Sequence, residues 1–327
     1  MRAIVTGGAG FIGSHLAELL LEEGHYVTVV DNFSTGRVEN LGDFKDNPRL
    51  EIVEADIRDF EGIANFFKDK DWVFHLAALA DIVPSIEKPL IYHDSNVNGT
   101  ANVLECCRIN GVKRFVYAAS SSCYGSDPEV PTKEDCPASP RYPYALTKYV
   151  GEQYVLHWGR VYGLETVSLR LFNVYGPRSR TSGTYGAVLG VFLAQKLAAK
   201  PFTIVGDGEQ KRDFVFVKDV ARAFKAAAES SVKNEIFNVG TGDPVSVNTL
   251  AELLEGDRVH IPKRPGEPDR THADITKIRS MLGWNSQISF KKGISLCLEH
   301  IDYWKNAPIW TPDSIKESTR NWFKYLS

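Results

Sequence analysis

The run Gly7-Gly8-Ala9-Gly10-Phe11-Ile12-Gly13 follows directly on the β-branched stretch Ala3–Thr6 and opens the apolar helical pattern Phe11–Glu23. Glycines so placed permit a tight turn, close approach of backbone N–H groups to a pyrophosphate, and tight packing of helix on strand. The helix N-terminus adds partial positive charge. Glycine-rich turns are common, so the weight lies in context. A strand precedes, a helix follows, and Asp31 ends the second strand-like run about 20 residues on, where a carboxylate accepts hydrogen bonds from a ribose diol. Gly7, Gly10, Phe11, Ile12, Gly13, Asp31 and Asn32 are therefore expected to line a dinucleotide site. A carboxylate at that point repels a 2′-phosphate and favours NAD over NADP, with Arg37 close behind as the counterweight. Asp56-Ile57 after the third strand suits the adenine, and Leu76-Ala77-Ala78 after the fourth sets small side chains beside the dinucleotide. Either motif taken singly reads equally well as a strand-end turn.

Strand-like and helical runs alternate as far as Leu171, which means a parallel sheet covered on both faces. Beyond it glycine and proline are frequent (Gly176-Pro177, Gly183, Gly186, Gly206, Gly208, Gly240, Gly242, Pro265-Gly266), as in a loop-rich lobe over the sheet's carboxyl ends. The expected fold is α/β, a Rossmann-type doubly wound parallel sheet with a smaller C-terminal α/β substrate-binding lobe. Residues 1–171 form the dinucleotide domain, 214–240 return to it, and 172–213 with 241–327 make the lobe.

The balance of 38 basic and 41 acidic side chains, with no long basic run, argues against a nucleic-acid footprint or a polybasic membrane anchor. No uninterrupted apolar run approaches the roughly 18 residues of a membrane span, and the strand-like N-terminus is unlike a signal peptide, so a cytoplasmic location is expected. Cys106, Cys107, Cys123, Cys136 and Cys297 are odd in number and lack ligand spacing. Neither a disulfide framework nor a metal site is expected.

Tyr144-Ala-Leu-Thr-Lys148 puts a phenol and an ammonium on one face of a helix. A cation beside a phenol stabilises phenolate and lowers a pKa near 10 toward neutrality, giving a base able to take a hydroxyl proton. Chance produces such a pair often on a solvated helix face. Here it follows Ser120 in a chain that already carries the dinucleotide turn.

Thr6–Gly13, Asp31, Asp56, His75–Ala78, Asn96-Val-Asn-Gly-Thr100, Ser120–Gly125 and Tyr144–Lys148 together resemble the extended short-chain dehydrogenase/reductases. Arg170–Arg178, Gly206–Val215, Asn238–Gly240 and Arg264–Glu267 extend the resemblance to the UDP-sugar lobe of the UDP-glucose and UDP-N-acetylglucosamine 4-epimerases, from Met1 to about Trp284. The resemblance implies Tyr144 as acid/base, Lys148 on the nicotinamide ribose and tuning Tyr144, Ser120 on the reacting oxygen, and Asn96 in the cofactor site. It further implies Asn173 and Arg212 on the UDP diphosphate, Arg264 as a second cation and Glu267 near a ribose hydroxyl. The bland alternative for Arg212 is a surface ion pair with Asp213.

The related 4,6-dehydratases resemble Thr-Asp-Glu where this chain has Ser120-Ser121-Ser122, and the decarboxylases resemble them in placing Glu at Ser122. With no carboxyl group in the turn, dehydration is disfavoured. Ser121 and Ser122 are expected to face the sugar instead. What remains is epimerisation at C4 of a UDP-hexose through a transient 4-keto sugar. Thr271, seventh after Arg264, occupies the place that lines C2 in the epimerases, where a small residue admits an N-acetyl group. UDP-N-acetylglucosamine and UDP-N-acetylgalactosamine are thus the expected pair, alongside the plain hexoses. Cys123 is expected to be a buried small residue. Two long apolar helices, Ile91–Asn110 and Tyr144–Tyr162, together with the resemblance, imply a homodimer through a four-helix bundle. The tail Ile301–Ser327, with Trp304, Trp310 and Trp322, is unmatched: it caps the pocket or packs on the lobe. Rival readings have their own signatures. A dinucleotide sensor lacks the Tyr/Lys pair, and a keto-sugar reductase consumes NADPH in proportion to product.

Overall fold

The computed structural model describes residues 1–179 and 187–326, so Gly183 and Gly186 lie outside the described residues. The first half supplies strands β1 (Arg2–Thr6), β2 (Tyr26–Asp31), β3 (Leu50–Glu54), β4 (Trp72–His75), β5 (Arg114–Ser120) and β6 (Glu165–Leu171). The second half adds β7 (Asn173–Tyr175), β8 (Phe202–Val205), β9 (Lys211–Arg212), β10 (Phe214–Phe216), β11 (Glu235–Val239), β12 (Val245–Ser246) and β13 (Arg258–Ile261).

A seven-stranded sheet runs in the order β11-β6-β5-β4-β1-β2-β3. Every pairing in it is parallel, and the central strands β1, β4 and β5 are buried along nearly their whole length, as a sheet covered on both faces demands, while the edge strand β3 is not. The chain winds outward from β1 in one direction through β2 and β3, and in the other from β4 onward, so strand order reverses between β1 and β4. In open α/β sheets that reversal opens a crevice at the carboxyl ends.

One apolar layer, with Val5, Leu16, Leu20, Val29 and Phe224, packs the helices Phe11–Glu22 and Val217–Glu229 on one face of the sheet. The other layer, with Ile4, Phe67, Leu104, Phe115, Tyr117 and Val155, carries the helices Gly99–Ile109 and Pro143–Tyr162. The latter helix starts with proline in its first turn, where the missing N–H costs nothing, and ends at Gly163 with φ +73°. A third core, including Phe192, Phe202, Phe216, Leu250 and Trp304, belongs to the second half. There β7 pairs with β10, β9 with β12 and β8 with β13, and the chain re-enters the central sheet through Val217–Glu229 and β11. No helix among the described residues is long and apolar enough to cross a membrane.

The helix expected over Ile91–Asn110 is present without a break, from Pro89 to Ile109, and it contains a π turn. Pro89–His93 and Gly99–Ile109 are joined by a π turn, Asp94–Asn98, and Asn96 within it is buried. Its amide donates to the Leu79 carbonyl at 2.9 Å and to Thr147 Oγ1 at 3.0 Å, and its oxygen accepts the Leu79 N–H at 2.8 Å. The extra residue in the turn aims this amide at the loop after β4.

Candidate active site

Because all strands of the sheet are parallel, Gly7, Asp31, Leu76 and Ser120, each at or just beyond a carboxyl end, gather at one edge. At Gly7 the backbone is left-handed (φ +70°), and a Cβ there would stand 2.6 Å from the Ala77 nitrogen. A Cβ on Gly13 would stand 2.2 Å from the Gly7 carbonyl oxygen. Only glycine permits this turn. Gly10 begins the helix with no side chain capping it, so its first-turn N–H groups are left for an anion. Asp31 is held by its own loop: Ala9 N–H donates to Oδ2 at 3.0 Å and Phe33 N–H to Oδ1 at 2.9 Å, and burial raises its pKa. A carboxylate so fixed has acceptor capacity to spare for a diol.

A cavity of about 400 Å³ is lined by Gly7, Gly10, Phe11, Ile12, Gly13, Asp31, Asn32, Ile57, Leu76, Ala77 and Ala78. A glycine turn that a Cβ would fill, a helix N-terminus and a fixed carboxylate on one wall fit a dinucleotide. Two expected cofactor residues stand behind this wall. Asp56 accepts from Asn32 Nδ2 at 2.9 Å and pairs with Arg58, which holds its carboxyl well below the usual range. Asn96 props the 76–80 loop, as described above.

Ser120 ends β5 and caps the 3-10 turn Ser121–Tyr124 by accepting the Ser122 N–H. The Ser120 and Ser122 hydroxyls are 2.7 Å apart, and Ser121 is half-buried at the start of the turn. Ser120 neighbours the Tyr144 phenol and Ser122 the phenol of Tyr142, and each serine hydroxyl lowers the pKa of the phenol beside it. The Tyr142 and Tyr144 rings lie nearly parallel, 11° apart with centroids at 6.4 Å, and Trp322 stands 6.4 Å from the Tyr142 ring. Four hydroxyls thus neighbour one another in a chain, Tyr144, Ser120, Ser122, Tyr142, with the 2.7 Å bond between the two serines at its centre. Sequence reasoning missed Tyr142. Its one signal was a second tyrosine just before the Pro-Tyr that starts the helix.

The expected electrostatics of Tyr144 are overturned. Burial pushes the phenol above its ordinary value; Ser120 pulls it down and the Asp81 charge adds to the rise. Lys148 Nζ lies 4.2 Å from the centroid of the Tyr117 ring, which also stacks on His75. Burial drives Lys148 down to about 7, with Glu152 opposing. Helical spacing correctly shares a face between the two residues, but the ammonium is spent on a different ring and desolvation dominates both groups. The helix itself is pinned to β6 by a buried pair, Arg170 Nη2 to Glu152 Oε1 at 2.6 Å.

Across the cleft, Asp213 is fully buried and accepts N–H bonds from Thr241 (2.6 Å), Gly242 (3.0 Å) and Ala273 (2.9 Å). Its carboxylate is consumed by backbone, so neighbouring Arg212 does not pair with it. Arg212 Nη2 donates to Glu267 Oε1 at 2.9 Å instead, and Arg264 Nη1 stands 3.8 Å from Glu267 Oε2. The cluster is net positive and suited to a diphosphate. Arg212 lines a cavity of about 240 Å³ and Arg264 one of about 730 Å³; both are bordered by Glu267. Thr271 Oγ1 donates to Asn173 Oδ1 at 2.8 Å and accepts the Asp213 N–H at 3.0 Å, which brings Asn173, Arg212 and Thr271 to one spot. The Arg212 and Glu267 charges are both felt at Tyr142, so this cluster adjoins the hydroxyl chain.

Cys123 is buried, as expected, and its thiol is pushed up to about 12. Glu23, His25 and Glu229 come within 4.8 Å of one another, but Lys225 Nζ lies 2.8 Å from Glu23 and 3.6 Å from Glu229, which already answers their charge.

The sequence profile of the NAD dependent epimerase/dehydratase family matches residues 3–240. A putative UDP-glucose 4-epimerase of Methanocaldococcus jannaschii is 42% identical over 299 residues, covering 89% of this chain and 95% of that protein. The crystal structure of a Thermotoga maritima UDP-glucose 4-epimerase with UDP-glucose superposes with a TM-score of 0.86 at 38% identity, over 94% of this chain and 99% of that one. A UDP-N-acetylglucosamine 4-epimerase from Methanobrevibacter ruminantium, in complex with UDP-N-acetylmuramic acid, gives 0.86 at 34% identity over 91% and 98%. Other activities occur among the relatives, including a UDP-glucuronate 4-epimerase of Thermodesulfobacterium geofontis and a UDP-N-acetyl-α-D-glucosaminuronate decarboxylase of Bacillus cytotoxicus. With most of its length matched by the profile and nearly all of it by relatives above 30% identity, the chain belongs to the NAD dependent epimerase/dehydratase family.

Proposed function

We propose that this chain is an NAD-dependent UDP-hexose 4-epimerase that interconverts UDP-N-acetylglucosamine and UDP-N-acetylgalactosamine, and with them UDP-glucose and UDP-galactose, through a transient 4-keto sugar. The observation that carries the reading is the Ser120–Ser122 turn. It sets two linked hydroxyls beside Tyr144 and holds no carboxyl group to expel a C6 hydroxyl or to assist decarboxylation of a uronate. Relatives named as 4-epimerases support it.

In this reading the dinucleotide domain comprises 1–171 and 214–240, and the sugar-nucleotide lobe 172–213 and 241–327. N–H groups of the turn from Gly7 to Gly13 hold the pyrophosphate, Asp31 the adenosine ribose and Lys148 the nicotinamide ribose. The bound nicotinamide supplies a reversible acceptor for the C4 hydride. Tyr144 takes the C4 hydroxyl proton and later returns it, while Ser120 hydrogen-bonds the same oxygen. Arg212, Arg264 and Asn173 grip the diphosphate and Glu267 a uridine ribose hydroxyl, which leaves the hexose loose enough to present either face. Thr271, its hydroxyl drawn to Asn173 and Asp213, keeps the C2 side small.

The test is a panel of UDP-sugars offered to the purified protein without added cofactor. C4 epimers should form, and Tyr144→Phe should abolish turnover while keeping fold and bound dinucleotide. Consumption of NADPH in proportion to product, or loss of carbon dioxide or water from the sugar, overturns the reading. Exposed Leu90, Ile91 and Ile109 on the helices from Pro89 to Ile109, with Leu146, Val161 and Tyr162 on Pro143–Tyr162, favour a homodimer through a four-helix bundle. Light scattering that finds a monomer at micromolar concentration removes it.

A further inference from the structure

Tyr303 lies in the 3-10 turn Ile301–Trp304, beyond the motifs that resemble the 4-epimerases. Trp304 next to it is buried in the lobe's core, so the turn is anchored there. The Tyr303 side chain nevertheless crosses to the loop after β2. Arg37 Nη2 donates to its hydroxyl at 2.5 Å, and the guanidinium lies 4.8 Å from the ring centroid. The hydroxyl donates onward to Asn40 Oδ1 at 2.9 Å. Asn40 Nδ2 in turn donates to the Ala9 carbonyl at 2.8 Å, and the Arg37 backbone N–H donates to the same oxygen at 3.0 Å. Ala9 is the residue whose own N–H fixes Asp31. One phenol from the tail thus ends a chain of hydrogen bonds that runs to the glycine turn and the ribose-facing carboxylate.

The surroundings point the same way. Ala307, Pro308 and Trp310 of the tail line the cavity that Asp31 lines, as do Arg37, Asn40 and Tyr303. Gln195 Nε2 holds the Trp310 carbonyl at 2.7 Å. Burial raises the Tyr303 pKa, which keeps the phenol protonated and able to donate to Asn40. The tail therefore does not merely pack on the lobe: it spans from the lobe to the rim of the dinucleotide cleft.

We propose that Tyr303 is a dinucleotide-retaining residue, a positioning group that clasps Arg37 and Asn40 and so holds the loop from Asn32 to Asn40 closed over the adenosine end of the bound cofactor. The proposal rests on the dinucleotide reading of the cleft. Without the clasp, this loop keeps its bonds to Ala9 and Asp56 but loses its tie to Tyr303 of the tail, and the cofactor leaves through it faster.

The experiment follows NADH fluorescence as the loaded protein releases NADH into excess unlabelled NAD, with no sugar present. Tyr303→Phe, which keeps the ring over Arg37 but loses both hydroxyl bonds, should release NADH about threefold faster. Tyr303→Ala should release it roughly tenfold faster, since the ring contact goes too. In an Arg37→Ala background, Tyr303→Ala should add less than about twofold, because most of the chain is already cut. If Tyr303→Ala does not fold, Tyr303→Phe at unchanged melting temperature carries the test. Release from Tyr303→Phe at the parental rate, or an equal effect of Tyr303→Ala with and without Arg37, overturns the proposal. A parent protein that binds no NADH overturns this and the epimerase reading together, whereas tight NADH binding without epimer formation overturns only the latter.

Discussion

Replacing Glu152 by Gln tests how the catalytic helix is held and charged. Glu152 and Arg170 are 1% and 4% exposed at their side chains. Arg170 Nη2 and Nε reach the carboxylate at 2.6 and 3.0 Å, and Ser168 Oγ donates to it at 2.9 Å. Removing one partner of a buried ion pair costs about 3–5 kcal/mol, because the other charge stays buried. Here Gln keeps the volume and one acceptor, and Arg170 retains the Glu134 carbonyl at 3.0 Å and the face of Tyr124 at 4.8 Å. The loss should fall to roughly 2–3 kcal/mol, read as a lower urea midpoint at unchanged m-value. There is a second consequence one helical turn away. Lys148 sits at about 7 because burial lowers it while Glu152 holds it up. Without the carboxylate its pKa falls further, so the ammonium is lost at lower pH. Where activity requires Lys148 charged, the alkaline limb of kcat/KM should move to lower pH in Glu152→Gln. A stability loss below about 1 kcal/mol, or an alkaline limb that does not move, refutes the reasoning.

Tyr142→Phe removes the far hydroxyl of this chain, the one beside Ser122, which is itself bonded to the Ser120 hydroxyl next to Tyr144. About 0.5–1.5 kcal/mol is at stake, so kcat should fall roughly two- to tenfold with the acid limb of its pH profile moved to higher pH. A profile superimposable on the parent's rejects the role. Gly13→Ala forces a Cβ to within 2.2 Å of the Gly7 carbonyl oxygen, so the turn must open, and the purified variant should carry little or no dinucleotide. Full dinucleotide content, measured after acid release, contradicts that. Lys148→Met removes a group whose folded pKa, about 7, lies below its ordinary value of 10.5. Between these values the unfolded chain binds the extra proton, so the stability of the parent relative to the variant should rise with pH, by about 1.4 kcal/mol per unit at most, from 7 upward. Denaturation at pH 7, 8 and 9 with a constant difference between the two proteins negates it.

The parts of this site that were legible in the sequence are those whose physics is local. The turn from Gly7 to Gly13 reads directly because the backbone path and the helix N-terminus need those glycines within one short stretch, and Asp31 follows because it ends the next strand. The sheet's parallel order reads from alternation alone. Electrostatics was legible only in part. The spacing of Tyr144 and Lys148 gives a shared helix face, but not that Tyr117, arriving from β5, takes the ammonium, nor that burial outweighs charge at the phenol. The Arg212, Arg264 and Glu267 cluster emerged only through family resemblance, since nothing in the spacing of residues 212 and 264 says that they converge on one carboxylate. Least legible were contacts that close a sequence gap between the two halves of the cleft: Tyr142 against Trp322, and Tyr303 against Arg37. Nothing in the strings around them marks a partner, and only folding juxtaposes them. Both of these contacts involve the tail, the stretch that no motif matched. Contacts of this kind, made by residues far apart in sequence, have no local pattern by which a sequence can announce them.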